Sequence, residues 1–151
     1  MTAFLGLTLL LTSCGEEGLH YDASVRFDGE AWSWTDTAKF ETQLNDTAAR
    51  YDLILRVDHD IDFAYQNLYV RIFTDFPDGS STDQVLSLQL SGENGGWAGD
   101  CGADHCVAEL VLSENIRLAD PGLYSFRIAQ YSREEPLPGI RGLQFKIFMK
   151  N

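Results

Sequence analysis

The stretch YDLILRVDHD, residues 51–60, decides the fold. Tyr51, Leu53, Leu55 and Val57 fall on one side of an extended chain, and Asp52, Arg56 and Asp58 on the other. Successive side chains of a strand point to opposite faces, so this segment reads as a strand with one buried face. The same period of two recurs along the chain. NLYVRIFTDF (67–76) sets Leu68, Val70 and Ile72 against Tyr69, Arg71 and Phe73, and DQVLSLQLSG (83–92) sets Leu86, Leu88 and Leu90 against Ser87 and Gln89. GLYSFRIAQYS (122–132) buries Tyr124, Phe126 and Ile128, and LQFKIFMK (143–150) buries Leu143, Phe145, Ile147 and Met149. Weaker strand candidates lie at 19–27, 38–44 and 106–112.

Turn signals separate these runs: Phe27-Asp28-Gly29, Pro77-Asp78-Gly79, Asn94-Gly95-Gly96, Pro121-Gly122 and Pro138-Gly139. No segment sustains a helical repeat; Asp46–Arg50 has the composition for one turn. Seven to nine short strands with frequent turns predict an all-β chain, an antiparallel β-sandwich of jelly-roll or immunoglobulin-like type. Residues 20–151 form one domain, long enough to bury a real core.

The N-terminus reads differently. Ala3–Leu11 is an apolar run far short of the ~20 residues a helix needs to cross a bilayer. The small residues Thr12 and Ser13 and then Cys14 follow it. This order resembles the bacterial lipobox, in which a signal peptide is cut before a cysteine that becomes lipidated. The thiol at the first mature position is the nucleophile that takes the diacylglyceryl group, and small residues fit the peptidase cleft. The opening Met1-Thr2-Ala3-Phe4 departs from the pattern in having no basic residue. Residues 1–13 are therefore expected to be a lipoprotein signal, Cys14 the lipidation site and 14–19 a tether. The expected location is the cell envelope, at the outer membrane. Glu16 and Glu17 resemble the acidic tether signals that favour surface export.

The formal charge of the 151-residue chain is −12, none of it from the leader. Such a surface repels phosphate backbones and anionic headgroups, so nucleic acid is not an expected partner and membrane attachment rests on lipid. With Cys14 lipidated, Cys101 and Cys106 remain in GDCGADHC. In an oxidising compartment such a pair most simply forms a disulfide. Asp100, Asp104 and His105 offer a metal alternative, but the spacing is not that of a zinc knuckle and no second ligand pair exists.

Enzyme signatures are missing: no His-Glu-x-x-His, no Gly-x-Ser-x-Gly and no phosphate-binding or dinucleotide glycine loop. No catalytic residue, metal ligand or cofactor is expected, and His20, His59 and His105 read as structural or surface residues. Asp58, Asp60 and Asp62 alternate as in a calcium loop, but Phe63 and Tyr69 stand where glycine and glutamate are required. Trp32 and Trp34 in EAWSWT fall on one face of an extended segment. Large aromatics at this spacing more often fill the core or cover a sheet end; that face could also stack on sugar rings, which gives the competing reading of a lipid-anchored carbohydrate-binding module.

One ordered series covers most of the chain: FDGEAWSWTDTAKFE, YQNLYVRIFTDFPDG, TDQVLSLQLSGENGGWAGD and PGLYSFRIAQYSREEPLPGIRGLQFKI. Its landmarks are Tyr65, Asn67 and Leu68; Pro77, Gly79, Thr82 and Asp83; Gly95, Trp97 and Gly99; and Gly122 and Tyr124. Gln130, Arg133, Glu134, Glu135, Pro136, Leu137, Gly139 and Ile140 complete it. The set resembles the GldH gliding-motility lipoproteins of Bacteroidetes. The cysteine pair departs from the family pattern, and GIRGLQF is shorter than the family's last turn. The resemblance implies a non-catalytic envelope lipoprotein that works with other gliding or envelope proteins. Loops on a rigid scaffold commonly carry function. Trp97, with the loop of Arg133, Glu134, Glu135, Pro136 and Gly139, is therefore the expected partner-binding surface.

Overall fold

The structure is a computed structural model that describes residues 15–151. The expectations for residues 1–13 and for Cys14 fall outside the described residues. The strands are β1 (Leu19–Arg26), β2 (Ala31–Trp32), β3 (Ala38–Leu44), β4 (Arg50–Asp60), β5 (Asn67–Asp75) and β6 (Ser81–Gln89). They continue with β7 (Asp100–Cys101), β8 (His105–Ile116), β9 (Gly122–Gln130), β10 (Leu137–Pro138) and β11 (Ile140–Lys150). Eight are long; β2, β7 and β10 have two residues each.

Two antiparallel sheets form, in the orders β1-β11-β4-β8-β7 and β3-β9-β5-β6, with β2 and β10 as a separate pair. Each inner face is the apolar set that the alternation marks. Phe145 of β11 lies opposite Leu55 of β4 and Ala23 of β1. Its ring meets Phe40 at 5.3 Å and Phe126 at 4.9 Å from the second sheet. Tyr51, Leu55, Val57, Val70, Ile128 and Ile147 are fully buried around them. Full burial of such side chains contributes roughly 1.5–3 kcal/mol each, which makes this seam the main stabilising element.

The outer face of the second sheet is finished with paired charge. Arg71 donates to Asp83, with Nε at 2.8 Å, and Arg127 pairs with Asp75 at 3.1 Å. Both guanidiniums lie over the Phe73 ring, 5.1 and 4.8 Å from its centre, and so cover an apolar side chain that faces solvent.

Connections sort to two poles. One pole holds residues 15–18, the β3–β4, β5–β6 and β8–β9 turns and the end of β11. The other holds segments 27–37, 61–66, 90–104 and 131–139. The strands between them are about 30 Å long. The segment at 15–18 is tied to β11: Met149 N–H donates to Gly18 O at 2.7 Å near the strand's end, and Lys146 Nζ, further along the strand, donates to both Glu16 carboxylate oxygens at 2.9 and 2.7 Å.

The tryptophan pair departs from expectation in its shared face, while Trp32 takes the core role that large aromatics favour. β2 stops at Trp32 and a turn follows, so the two indoles share no face. Trp32 is wholly buried, stacked on Phe27 at 4.6 Å, with Nε1 donating to Asp36 O. Of the two, Trp34 alone is exposed. The exposed two-indole strip on which a carbohydrate-binding reading rested does not form.

Candidate functional site

The second pole carries a groove of about 850 Å³. Its walls are Phe63 and Tyr65 from the segment before β5, Asn67, Leu68 and Tyr69 from the start of β5, Val85 from β6, Tyr131–Glu134 from the segment after β9, and Leu137 from β10. Tyr69 and Tyr131 are register neighbours, since Tyr131 N–H donates to Tyr69 O at 2.8 Å. Tyr65, Tyr69, Tyr131 and Val85 are each about half exposed. Three tyrosines and a valine beside one another on a rigid sheet end make an amphipathic platform, which is the composition that protein-binding surfaces favour.

Buried polar groups hold the loop that forms the far wall. Gln130 is buried at the end of β9. Its Oε1 accepts from Ser132 N–H at 2.7 Å and Ser132 Oγ at 2.8 Å, and its Nε2 donates to Glu134 O at 3.0 Å. Glu135 accepts from Ser33 Oγ at 2.6 Å, from Trp34 N–H at 2.7 Å and from Gln130 Nε2 at 3.3 Å. Trp34 Nε1 adds a bond to Ser132 O at 3.2 Å. Tyr65 Oη donates to Glu134 at 2.8 Å across the groove, and that carboxylate raises the phenol's pKa.

The residues expected to bind a partner therefore divide. Arg133 and Glu134 line the groove. Glu135 anchors the loop from behind. Pro136 follows a cis peptide bond where the loop enters β10. Gly139 has φ +86°, and a Cβ there would stand 2.9 Å from the Phe63 ring, so it seats Phe63 in the groove wall. Trp97 lies on the same pole but acts as a clamp: Nε1 donates to Ile61 O at 2.7 Å and the ring packs edge-on to His59 at 4.7 Å. Tyr65, Tyr69, Val85 and Tyr131 carry most of the exposed surface and were not among the expected set. The available signal was Tyr69, an aromatic on the outward face of a strand.

The acidic run at 58–62 does not form a cation cage. Asp58 accepts from Arg26 at 2.5 Å and Asp60 from Arg141 at 2.5 Å. Among the described residues no group of three or more His, Cys, Asp or Glu is placed to hold a metal. Cys101 and Cys106 are directly opposite across β7 and β8 and form a disulfide. The buried His59 donates from Nδ1 to Asp60 O at 2.9 Å; Nε2 has no partner among the described residues, and burial pushes its pKa down.

A family model described as GldH lipoprotein matches residues 19–147. The chain belongs to the GldH lipoprotein family. It is 24% identical over 151 residues to a gliding motility lipoprotein GldH homolog of Christiangramia forsetii, covering 95% of this chain and 91% of that relative. It is 23% identical over 137 residues to the gliding motility lipoprotein GldH of Flavobacterium johnsoniae, covering 90% of this chain and 84% of the relative. The matched region contains the whole groove and both sheets, apart from Phe148, Met149 and Lys150 at the end of β11.

Proposed function

We propose that this GldH-family chain is a membrane-anchored envelope lipoprotein of the gliding machinery, and that it works by docking another protein rather than by catalysis. The relatives' names support the association with gliding. The lipobox order ending in Cys14 supports the anchor. The observation that carries the docking role is the tyrosine groove, held open by Gln130 and Glu135 on the pole away from Glu16. An anchor at Cys14 lies two residues from Glu16, a reach of about 7 Å at most, so the groove would face away from the membrane.

The test is site-specific photocrosslinking in cells of the native host, with a photoreactive phenylalanine analogue at Tyr65 or Tyr131 of the full-length chain. Discrete adducts are expected from both positions and none from Val111, an exposed residue on the outer face of the other sheet. Equal labelling at Val111 and Tyr131 would sink the docking role. Mass analysis of the membrane fraction before and after Cys14→Ala tests the anchor separately: a lipidated mass lost in the variant is expected.

A further inference from the structure

Strand β6 contributes Val85 to one wall of the groove, and it is a sheet edge. It pairs with β5 from Asn67 opposite Gln89 to Asp75 opposite Ser81, nine residues without a register shift. Its other side has no partner strand among the described residues. Folded proteins blunt such edges with lysine, proline, bulges or a covering element. The other three edges do so. Strand β3 carries the Lys39–Glu41 pair, and β1 lies against it, with His20 Nε2 bonded to Gln43 O at 3.0 Å. Strand β8 carries β7, Glu109 and Glu114, and its pairing with β4 is broken by two irregularities. Strand β6, STDQVLSLQ, has no lysine, arginine, proline, glycine or bulge. Its one ionisable group, Asp83, is taken up by Arg71 on the neighbouring strand.

The ladder fixes which main-chain groups are free. Leu90 N–H donates to Gln66 O at 2.8 Å and Phe76 N–H to Ser80 O at 2.9 Å. Hydrogen-bonded pairs alternate in an antiparallel ladder. Leu86 and Leu88 therefore turn their main chain toward β5, and Asp83, Val85 and Ser87 turn theirs to solvent. Val85 and Ser87 also place their side chains on the outer face, beside Tyr69.

We propose that β6 accepts an extended segment of another polypeptide as an additional strand, with alternate side chains entering the tyrosine groove past Val85. This rests on the docking role of the groove and names the form of its partner. The partner segment is uncharged or basic with apolar alternate residues. The edge itself is neutral once Asp83 is paired, and the domain's charge of −12 favours a basic segment. The same charge opposes a second copy of this chain.

The probe is an acetylated, amidated peptide, Lys-Val-Thr-Val-Lys-Val-Thr-Val-Lys, added to the lipidated full-length protein in lipid nanodiscs. Controls are the same peptide N-methylated at alternate residues and a version with glutamate for lysine. Binding is expected to slow amide exchange at Val85 and Ser87 but leave Leu86 unchanged. N-methylation, or Ser87→Pro, is expected to weaken binding about tenfold or more, the effect of losing one or two main-chain bonds. Proline at 87 removes an outward N–H and leaves the ladder to β5 intact. The methylated peptide changes only the probe, so the comparison holds even if that variant does not fold. Equal affinity of the methylated and unmethylated peptides, or no binding at millimolar peptide, overturns strand addition. So does protection of these amides that rises with protein concentration alone, which would identify a second copy. If strand addition fails while crosslinks from Tyr131 persist, the groove docks side chains only; if both fail, the docking role goes as well.

Discussion

Single buried polar groups decide how the groove keeps its shape. Gln130 satisfies Ser132 and the Glu134 carbonyl from inside the sheet end. Gln130→Leu keeps the volume but leaves those groups unpaired, so it is expected to cost about 1–3 kcal/mol in urea unfolding and to speed amide exchange at Ser132. Gly139→Ala should cost a comparable amount, because φ +86° disfavours a side chain and the new methyl meets the Phe63 ring. His59 gives a pH dependence whose sign follows from its burial. Asp58 and Asp60 favour the charged ring, but burial outweighs them and lowers the folded pKa below the ordinary value of about 6.5. Well above about pH 6.5 the ring is neutral in both states and contributes no slope. As pH falls below that, the unfolded chain takes up a proton that the folded chain does not, so stability declines until the folded pKa is reached. Denaturant midpoints between pH 7 and 5 should therefore fall for the natural protein and change less for His59→Asn, which keeps a donor toward Asp60 O. Asp52, whose pKa is lowered by Lys150 and the Asn115 N–H, acts in a different window. Its contribution is lost only as pH falls below the ordinary carboxylate range, near 4.

At the level of elements, the alternation in Tyr51–Val57 and its counterparts was legible because a one-sided strand has no other periodicity. Each strong run became a long strand with the expected residues inward. Residues 33–36 were not legible: period two says where side chains point only while the chain stays extended, and here it turns after Trp32 to reach β3. The groove was hidden for a different reason. Tyr65, Tyr69, Val85 and Tyr131 come from three stretches of chain, and only the order β9-β5-β6 makes them neighbours. Edge status is likewise a property of strand order, so the bare edge of β6 could not be read from STDQVLSLQ. The cysteine pair was legible because its partners are close in sequence. It closes a short hairpin at β7 and β8, and removing it with Cys101→Ala and Cys106→Ala is expected to cost about 2 kcal/mol on the chain-entropy account. Urea titration of the double variant measures the loss. Amide exchange should rise first around residues 100–107, since β7 pairs with β8 alone among the described strands.

For the molecule as a whole, an anchor at Cys14 would set which surface is offered. Glu16 is held by Lys146, and Gly18 by Met149, so the chain from Glu16 onward belongs to the folded body. Lipid on Cys14 would then grip the domain within about 7 Å of Glu16. The groove lies at the other end of strands about 30 Å long. A net charge of −12 adds repulsion from anionic headgroups and discourages the domain from lying flat. The expected arrangement is a domain standing on its first pole. It can be measured with the lipidated protein in vesicles that carry a headgroup quencher, using a fluorophore at Asp78 on the first pole or at Gly95 on the groove pole. Asp78 should be quenched and Gly95 should not. Inserting ten glycine and serine residues between Gly15 and Glu16 should erase most of the difference, because such a linker behaves as a coil of roughly 15–20 Å and frees the domain to turn. Equal quenching at the two positions without the insertion would mean that the domain lies on its side. The tyrosine groove and the β6 edge would then sit at membrane level, where a partner from the far side could not reach both.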